Sequence, residues 1–400
     1  MESFSRKSFL KRAIGVGAVL TVSEFLEACS TVTDRNFGPK GNDPYANSES
    51  MKYDRPIFKA LNVGITAPNP HNVQPWKFEI LDDHSANLYV DENRLLLDTD
   101  PPTRQVHIGQ GTFLETLAIG STRLGYKAEI EMFPKGKYET KDIGKKPVAK
   151  IRLLPDAGIS ADPLAEFIPL RATVRGEYHG SVLNETEFST LLKDAKPNFS
   201  RAVMMGISDF PKVKKAVYSA MEVETNTYQT YEESRIWFRY NDEEINRERD
   251  GLSLRGSGVS GLKYFFVRNF FLSPGKESWH SEGNRSAGLG MFADQVESSK
   301  GFVYLVTKQN RFLDWVLAGR DYARLQLAAT KNGYVVHPLS QILQEYHQMD
   351  SLRKEFETIA GLKPGEKVQM LVRIGKSDYK FFSPRRELEK MILPAGKKTI

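Results

Sequence analysis

Two long helical stretches, far apart in the chain, carry one pattern, and nothing else in the sequence restricts the fold so much. Residues 107–126 place Ile108, Phe113, Leu117 and Leu124 on one side, as a buried helical face requires, with Gly125 near the end. Residues 313–332 run the same way and close at Gly333. Gly109, Leu117-Ala118 and Leu124-Gly125-Tyr126 rhyme with Gly319, Leu327-Ala328 and Asn332-Gly333-Tyr334. Strand-like runs flank both helices: 78–80, 87–90, 128–133 and 148–154 in the first half, 201–206, 302–307 and 368–374 in the second. A further helix, 183–192, opens at Asn184. The expectation is an α+β chain of two halves on one plan, 51–165 and 166–400, with sheets covered by helices and an unmatched segment, 232–300, in the second half.

Composition closes off several classes. With 40% hydrophobic residues and 11% aromatics the 400-residue chain can fill a sizeable core. A net charge of +6 comes without a long basic run, so no nucleic-acid partner is expected. The single cysteine, Cys29, excludes an intrachain disulfide and a cysteine-based metal site. The seven histidines lack H-x-x-x-H and H-E-x-x-H spacing, so no metal is expected. The chain has no G-x-x-x-x-G-K-[ST] phosphate loop, no G-x-S-x-G elbow, and no strand-turn-helix carrying G-x-G-x-x-G.

The chemistry is concentrated elsewhere. Ala67-Pro68-Asn69-Pro70-His71-Asn72-Val73-Gln74-Pro75-Trp76 is a loop stiffened by three prolines that opens into an apolar run. Its carboxamides can donate and accept at once, which suits a ring with both N–H and C=O edges. Arg171-Ala172-Thr173-Val174-Arg175 puts two guanidiniums four residues apart around a hydroxyl, a grip for phosphate oxygens. Pro384-Arg385-Arg386 adds a second basic pair near the end of the chain.

These three segments, in this order, resemble the nitroreductase flavoproteins. The loop resembles P-S-x-x-N-x-Q-P-W, the second segment R-x-S-x-R/K, and the third the phosphate-binding basic pair of that family. Twice the usual length and the paired helices resemble the Acg-like branch, a fused pseudo-dimer. The resemblance implies a nitroreductase-like fold and bound FMN, held by Asn69, Pro70, Asn72 and Gln74 of the loop and by Arg171, Thr173, Arg175 and Arg386. Arg386 is preferred to Arg385 because the family's arginine precedes a short apolar segment. It also implies that Pro338, Leu339 and Ser340 face the flavin ring through backbone groups, although Ser340 and Gln341 stand where the family has Glu-Gly. His337 reads as a structural histidine. The complementary set is missing: 54–59 carries no R-x-S-x-R motif and 196–200 no proline-rich loop, so one site per chain is expected. Trp237, Arg239, Glu244, Asp250 and Gly251 also resemble the Acg-like branch, and the segment around them is expected as a lid over the flavin.

The first residues read as an address. Ser5-Arg6-Lys7-Ser8-Phe9-Leu10-Lys11 resembles a twin-arginine export signal, a short apolar run follows, and Leu26-Glu27-Ala28-Cys29 resembles a lipobox. Residues 1–28 are thus expected as a signal peptide, Cys29 as a lipidated anchor on the periplasmic side, and 29–50 as a polar tether. The functional expectation is an exported oxidoreductase that passes electrons through one FMN to a small acceptor, from a nicotinamide, quinone or protein donor. A flavin-sequestering lipoprotein with a closed lid and a scaffold that has lost FMN are the alternatives. No catalytic acid or base is singled out.

Overall fold

The computed structural model describes residues 44–45, 53–271 and 275–394. The export signal and Cys29 lie outside the described residues, as does nearly all of the tether.

The first half runs α1 (Pro56–Gly64), β1 (Trp76–Ile80), β2 (Ser85–Val90), α2 (Arg104–Arg123), β3 (Tyr126–Met132) and β4 (Ala149–Pro155). The second begins with α3 (Glu185–Ala195) and β5 (Arg201–Met204). Next come α4 (Phe210–Asn226), α5 (Tyr228–Ile236), β6 (Phe238–Arg239), α6 (Asp242–Glu248), β7 (Leu252–Ser253), α7 (Gly261–Phe266) and α8 (Glu282–Glu297). β8 (Gly301–Thr307), α9 (Phe312–Lys331), β9 (Val335–Pro338), α10 (Asp350–Ile359) and β10 (Lys367–Gly375) complete it.

Each half contains a four-stranded antiparallel sheet. The strand orders are β1-β2-β4-β3 and β5-β8-β10-β9. Strand for strand this is one topology used twice, and the local patterns explain the positions. β8, Gly-Phe-Val-Tyr-Leu-Val-Thr, is buried at every residue because it lies between neighbours and is packed on both faces. β3 alternates partly buried Tyr126, Ala128, Ile130 and Met132 with exposed Lys127, Glu129 and Glu131, as an edge strand with one wet face does.

α2 and α9 pack against each other and join the halves. The pairing fixes their register. Both helices end at a glycine of positive φ, Gly125 (83°) and Gly333 (75°), the usual device for leaving a helix. Keeping those glycines aligned pairs Arg104 with Phe312 and Gly111 with Gly319, a two-residue correction to the Gly109–Gly319 and Leu117–Leu327 rhyme seen in the sequence. The physical reason lies in the contact. A Cβ on Gly111 would collide with the Val316 carbonyl oxygen, and one on Gly319 with that of Ile108.

One core lies between the first sheet and α2, around Trp76, Phe78, Phe113 and Leu117. Two more sandwich the second sheet: α3 and α9 cover one face, α4 and α10 the other. α4 therefore belongs to the core, with Phe210 edge-on to Phe302 at 5.0 Å. Relative to the first half, the additional chain starts where β5 ends rather than near residue 232. The chain end then crosses back, and the Leu393 N–H donates to Phe78 of β1 at 2.8 Å.

Candidate functional site

The 67–76 loop leaves α1 and enters β1. Its fixed points are visible. Trp76 is fully buried, its indole N–H donating to the Gly109 carbonyl at 3.2 Å. Asn69 Oδ1 accepts the Gln74 N–H at 2.8 Å. His71, Asn72 and Gln74 all have positive φ, 47°, 54° and 52°. Such backbone costs about 1–3 kcal/mol per residue and persists only where the surroundings over-determine it. Here they do so from the second half. The Gly251 N–H donates to Asn72 O at 3.2 Å, the Gln74 amide to Arg249 O at 2.8 Å, and the Arg385 guanidinium to Asn72 Oδ1 at 3.0 Å.

Across from the loop, 171–175 lies alongside β9, with Val174 N–H donating to Val336 O at 3.2 Å. Two adjoining cavities form between them. The smaller, about 40 Å³, is lined by Asn69, Asn72, Arg171, Thr173, Arg175 and Arg385. The larger, about 300 Å³, shares Pro68, Asn69, Thr173, Arg175 and Leu252 with it and continues past Pro70, Gly109, Tyr322, His337, Pro338 and Ser340.

The smaller cavity is a concentration of uncompensated positive charge. Arg171 is 6% exposed. It donates to Thr66 O at 2.8 Å and at 3.5 Å to Gln326, while its Nε is buried without a partner. Half-buried Arg175 donates to Gly256 O at 3.3 Å. Arg385 caps the Ile65, Thr66 and Ala67 carbonyls just beyond α1, where the helix dipole favours a cation. Among the described residues none of the three is paired with a carboxylate. Burial holds Arg171 down to about 10, and burial together with the Arg171 charge holds Arg385 down to about 9. A buried cation without a counter-ion is costly, and an anion with several oxygens would relieve all three at once. Arg171 and Arg175 have unspent N–H donors for it; Arg385, its donors committed to carbonyls, offers charge.

The larger cavity has its own polarity. Arg373, fully buried, donates from Nε to His337 Nδ1 at 3.0 Å. Burial and the Arg373 charge hold His337 well below its ordinary value, so the ring is neutral. With Nδ1 accepting, the ring proton sits on Nε2. His337 thus lines the cavity as a donor with a cation behind it, an arrangement that favours negative charge on whatever lies there.

Not every residue picked from the sequence reaches a wall. Asn69, Pro70, Asn72, Arg171, Thr173, Arg175, Pro338 and Ser340 do. Gln74, Leu339 and Arg386 do not, and these three expectations are corrected. Gln74 is fully buried, and its Oε1 accepts the Arg386 N–H at 2.8 Å. Arg386 also reaches toward Asp91, at 3.9 Å. Leu339 spends its N–H on Leu371 O. Sequence reasoning passed over Arg385 and left His337 a structural role. It also missed Tyr322, whose buried hydroxyl lacks a partner beside the cavity. For Arg385 the signal existed, a basic pair, but not which member faces in.

The segment after β5 walls the larger cavity with Phe238, Leu252, Ser257 and Trp279 among others. It is latched to the loop. Asp250 pairs with Arg239 at 2.6 Å and with Arg94 at 2.8 Å, Arg94 donates to Val73 O, and both arginines lie over Trp237. Glu244 instead serves the start of α6, accepting the Tyr240 N–H at 2.8 Å. In the second half, the stretch matching the loop is filled from within. Asp321, fully buried, accepts the N–H groups of Asn198, Phe199 and Ser200 at 2.6–2.8 Å. Among the described residues no cluster of His, Cys, Asp and Glu could hold a metal ion, and no helix is long and apolar enough to cross a membrane.

No family model matches the chain. It is 25% identical over 362 residues to the putative NAD(P)H nitroreductase Rv3131 of Mycobacterium tuberculosis, covering 88% of this chain and 95% of that protein. The putative NAD(P)H nitroreductase acg of the same organism is 35% identical over 78 residues, 20% of this chain and 23% of acg. The probable NAD(P)H nitroreductase PigM of a Serratia species is 23% identical over 306 residues, 73% and 82% of the two chains. Among solved structures, the FMN-dependent nitroreductase NfnB of Mycobacterium smegmatis in complex with NADPH superposes with a TM-score of 0.37 at 14% identity, over 57% of this chain and 96% of that one.

Proposed function

We propose that this chain, a homologue of the nitroreductase family over most of its length, is an FMN-dependent oxidoreductase with one FMN per chain. The observation that carries the reading is a group of three guanidiniums, buried Arg171 and half-buried Arg175 and Arg385, none paired with a carboxylate among the described residues, where two cavities meet beside the 67–76 loop. A phosphate fits that charge, and the larger cavity offers a place for the group attached to it.

FMN, when bound, supplies a ring that takes up an electron pair and gives it back. The chain supplies the rest. Arg171 and Arg175 would hold phosphate oxygens, with the Thr173 hydroxyl between them. Asn69 lines both cavities and Pro70 the larger one. His337, polarised by Arg373, would favour negative charge on a group lodged beside it. The donor is a nicotinamide and the acceptor a small molecule, as the names of the relatives indicate for those proteins.

Anaerobic absorption spectroscopy tests this. The purified protein should show a flavin spectrum, or take up added FMN, and bleach with NADH or NADPH. Bleaching by dithionite alone would point to another donor. A colourless protein that takes up no FMN would sink the reading. Export and anchoring through Cys29 rest on the sequence motif. Cys29→Ser should release the protein from the membrane fraction, and unchanged fractionation would rule the anchor out.

A further inference from the structure

The far end of the larger cavity belongs to the segment that follows β5. Met221, Tyr231, Phe238, Trp279 and Phe292 make it apolar and aromatic. Tyr231 and Phe238 each stand 5.1 Å from the Trp279 ring. Among the described residues a single carboxyl faces this space, that of Glu224 in α4. It is 6% exposed and has no cationic partner. The Gln344 amide donates to its Oε2 at 2.6 Å. On the same wall, Gln105 Nε2, Gln341 Oε1 and Gln344 Oε1 are buried with no partner, so polar capacity is left for a ligand.

Flavin reading granted, we propose that this end of the cavity binds the oxidising substrate, a planar acceptor of the quinone class, and that Glu224 is the catalytic acid that protonates it. Bound FMN in its reduced form would supply the hydride equivalent that the quinone takes up, leaving one proton to be provided by the chain. The Glu224 O–H bond breaks, an O–H bond forms on the quinone oxygen, and the quinone leaves as hydroquinone. Solvent then returns a proton to the carboxylate. The aromatic walls suit a flat ring. Burial pushes the Glu224 carboxyl up to about 7, helped by the nearby charge of Glu233 and opposed by the Gln344 hydrogen bond. Other titratable groups in its surroundings are Tyr346, Tyr231, Tyr322, Arg285, His71, His337 and Arg175, and burial raises all three tyrosines. Both histidines are held neutral near pH 7, at about 4 for His71 and well below its ordinary value for His337. Neither therefore titrates where Glu224 does.

The test uses full-length, FMN-loaded protein, reduced anaerobically and mixed with 1,4-benzoquinone or with ferricyanide, which takes an electron without a proton. In the wild type, reoxidation by benzoquinone should slow as pH rises through about 7. Glu224→Gln should make it roughly 100-fold or more slower and flat with pH, the scale of a lost general acid. Reoxidation by ferricyanide and FMN affinity should not change. Independently of turnover, a carboxylic-acid infrared band should titrate near neutral pH in the wild type and be absent from Glu224→Gln. Should that variant not fold, Gln344→Leu removes the bond that favours the carboxylate and should move the benzoquinone profile to higher pH. Benzoquinone kinetics that are the same in Glu224→Gln, or a profile unmoved in Gln344→Leu, would overturn the proposal while leaving the flavin reading intact. A wild type that binds no FMN would overturn both.

Discussion

At the scale of single residues, the site turns on which of two adjacent arginines faces in. Where the chain is not helical, neighbouring side chains point to opposite sides. Arg385 therefore closes on Asn72 and the end of α1 while Arg386 turns to Gln74 and Asp91. The basic pair was legible; its facing was not, because that depends on where the 67–76 loop lies. Charge-assisted bonds are worth about 1.5–3 kcal/mol each. Arg171→Ala and Arg175→Ala should thus each weaken FMN binding by about tenfold or more, and the double variant should purify without flavin. Arg385→Ala should also weaken binding and Arg386→Ala much less, both by equilibrium titration of apoprotein with FMN. Equal losses for the last two would remove Arg385 from the site.

Among elements, the α2–α9 contact decides how the halves meet. Gly111 and Gly319 allow backbone to approach backbone there, and Gly319→Ala should force the helices apart. The overpacking cost is about 1–3 kcal/mol or more, readable as a lowered denaturant midpoint. FMN affinity should fall too, since the loop comes from one half and Arg171 from the other. The latch between loop and inserted segment is a second such contact. Asp250→Ala leaves Arg239 and Arg94 without their shared carboxylate. Faster amide exchange over 237–253 is expected, with faster FMN release; unchanged exchange would show that the aromatic packing of Trp237 holds the segment alone. Helix and strand periods predicted α2, α3, α9 and every strand of the two four-stranded sheets except β9 to within a few residues, while α5, α7, α8 and α10 were not foreseen. α4 escaped, because a helix whose buried apolar residues are only Phe210, Val213, Ala216, Val217 and Ala220 reads like a surface one until the sheet face beneath it is seen.

For the whole molecule, buried His107 and His337 and half-buried His71 set an acid limit. Burial holds His71 and His107 down to about 4, and His337 well below its ordinary value. A group whose value is depressed by folding contributes stability above its unfolded value and loses it as pH falls toward the folded one. The melting temperature should therefore decline between about pH 6.5 and 4. His107 lies fully buried among Tyr138, Phe312 and Trp315 and lines neither cavity, so His107→Gln should flatten that decline without changing FMN content. The two sheets share one strand order, yet the space beside the paired helices is filled differently in the two halves. Where the first half packs Phe113 against Trp76, the equivalent residue of α9 is Asp321, whose carboxylate occupies the N–H groups of 198–200.

Local pattern alone determined the α+β class, the two halves, the stiff loop and the arginine motif, because periodicity, proline and charge spacing act over a few residues. The register of the paired helices, the inward arginine, the neutral His337 donor and the buried Glu224 were decided only by tertiary structure. Each depends on burial and on a partner from a distant part of the chain, and a side chain's neighbours in sequence carry no record of either.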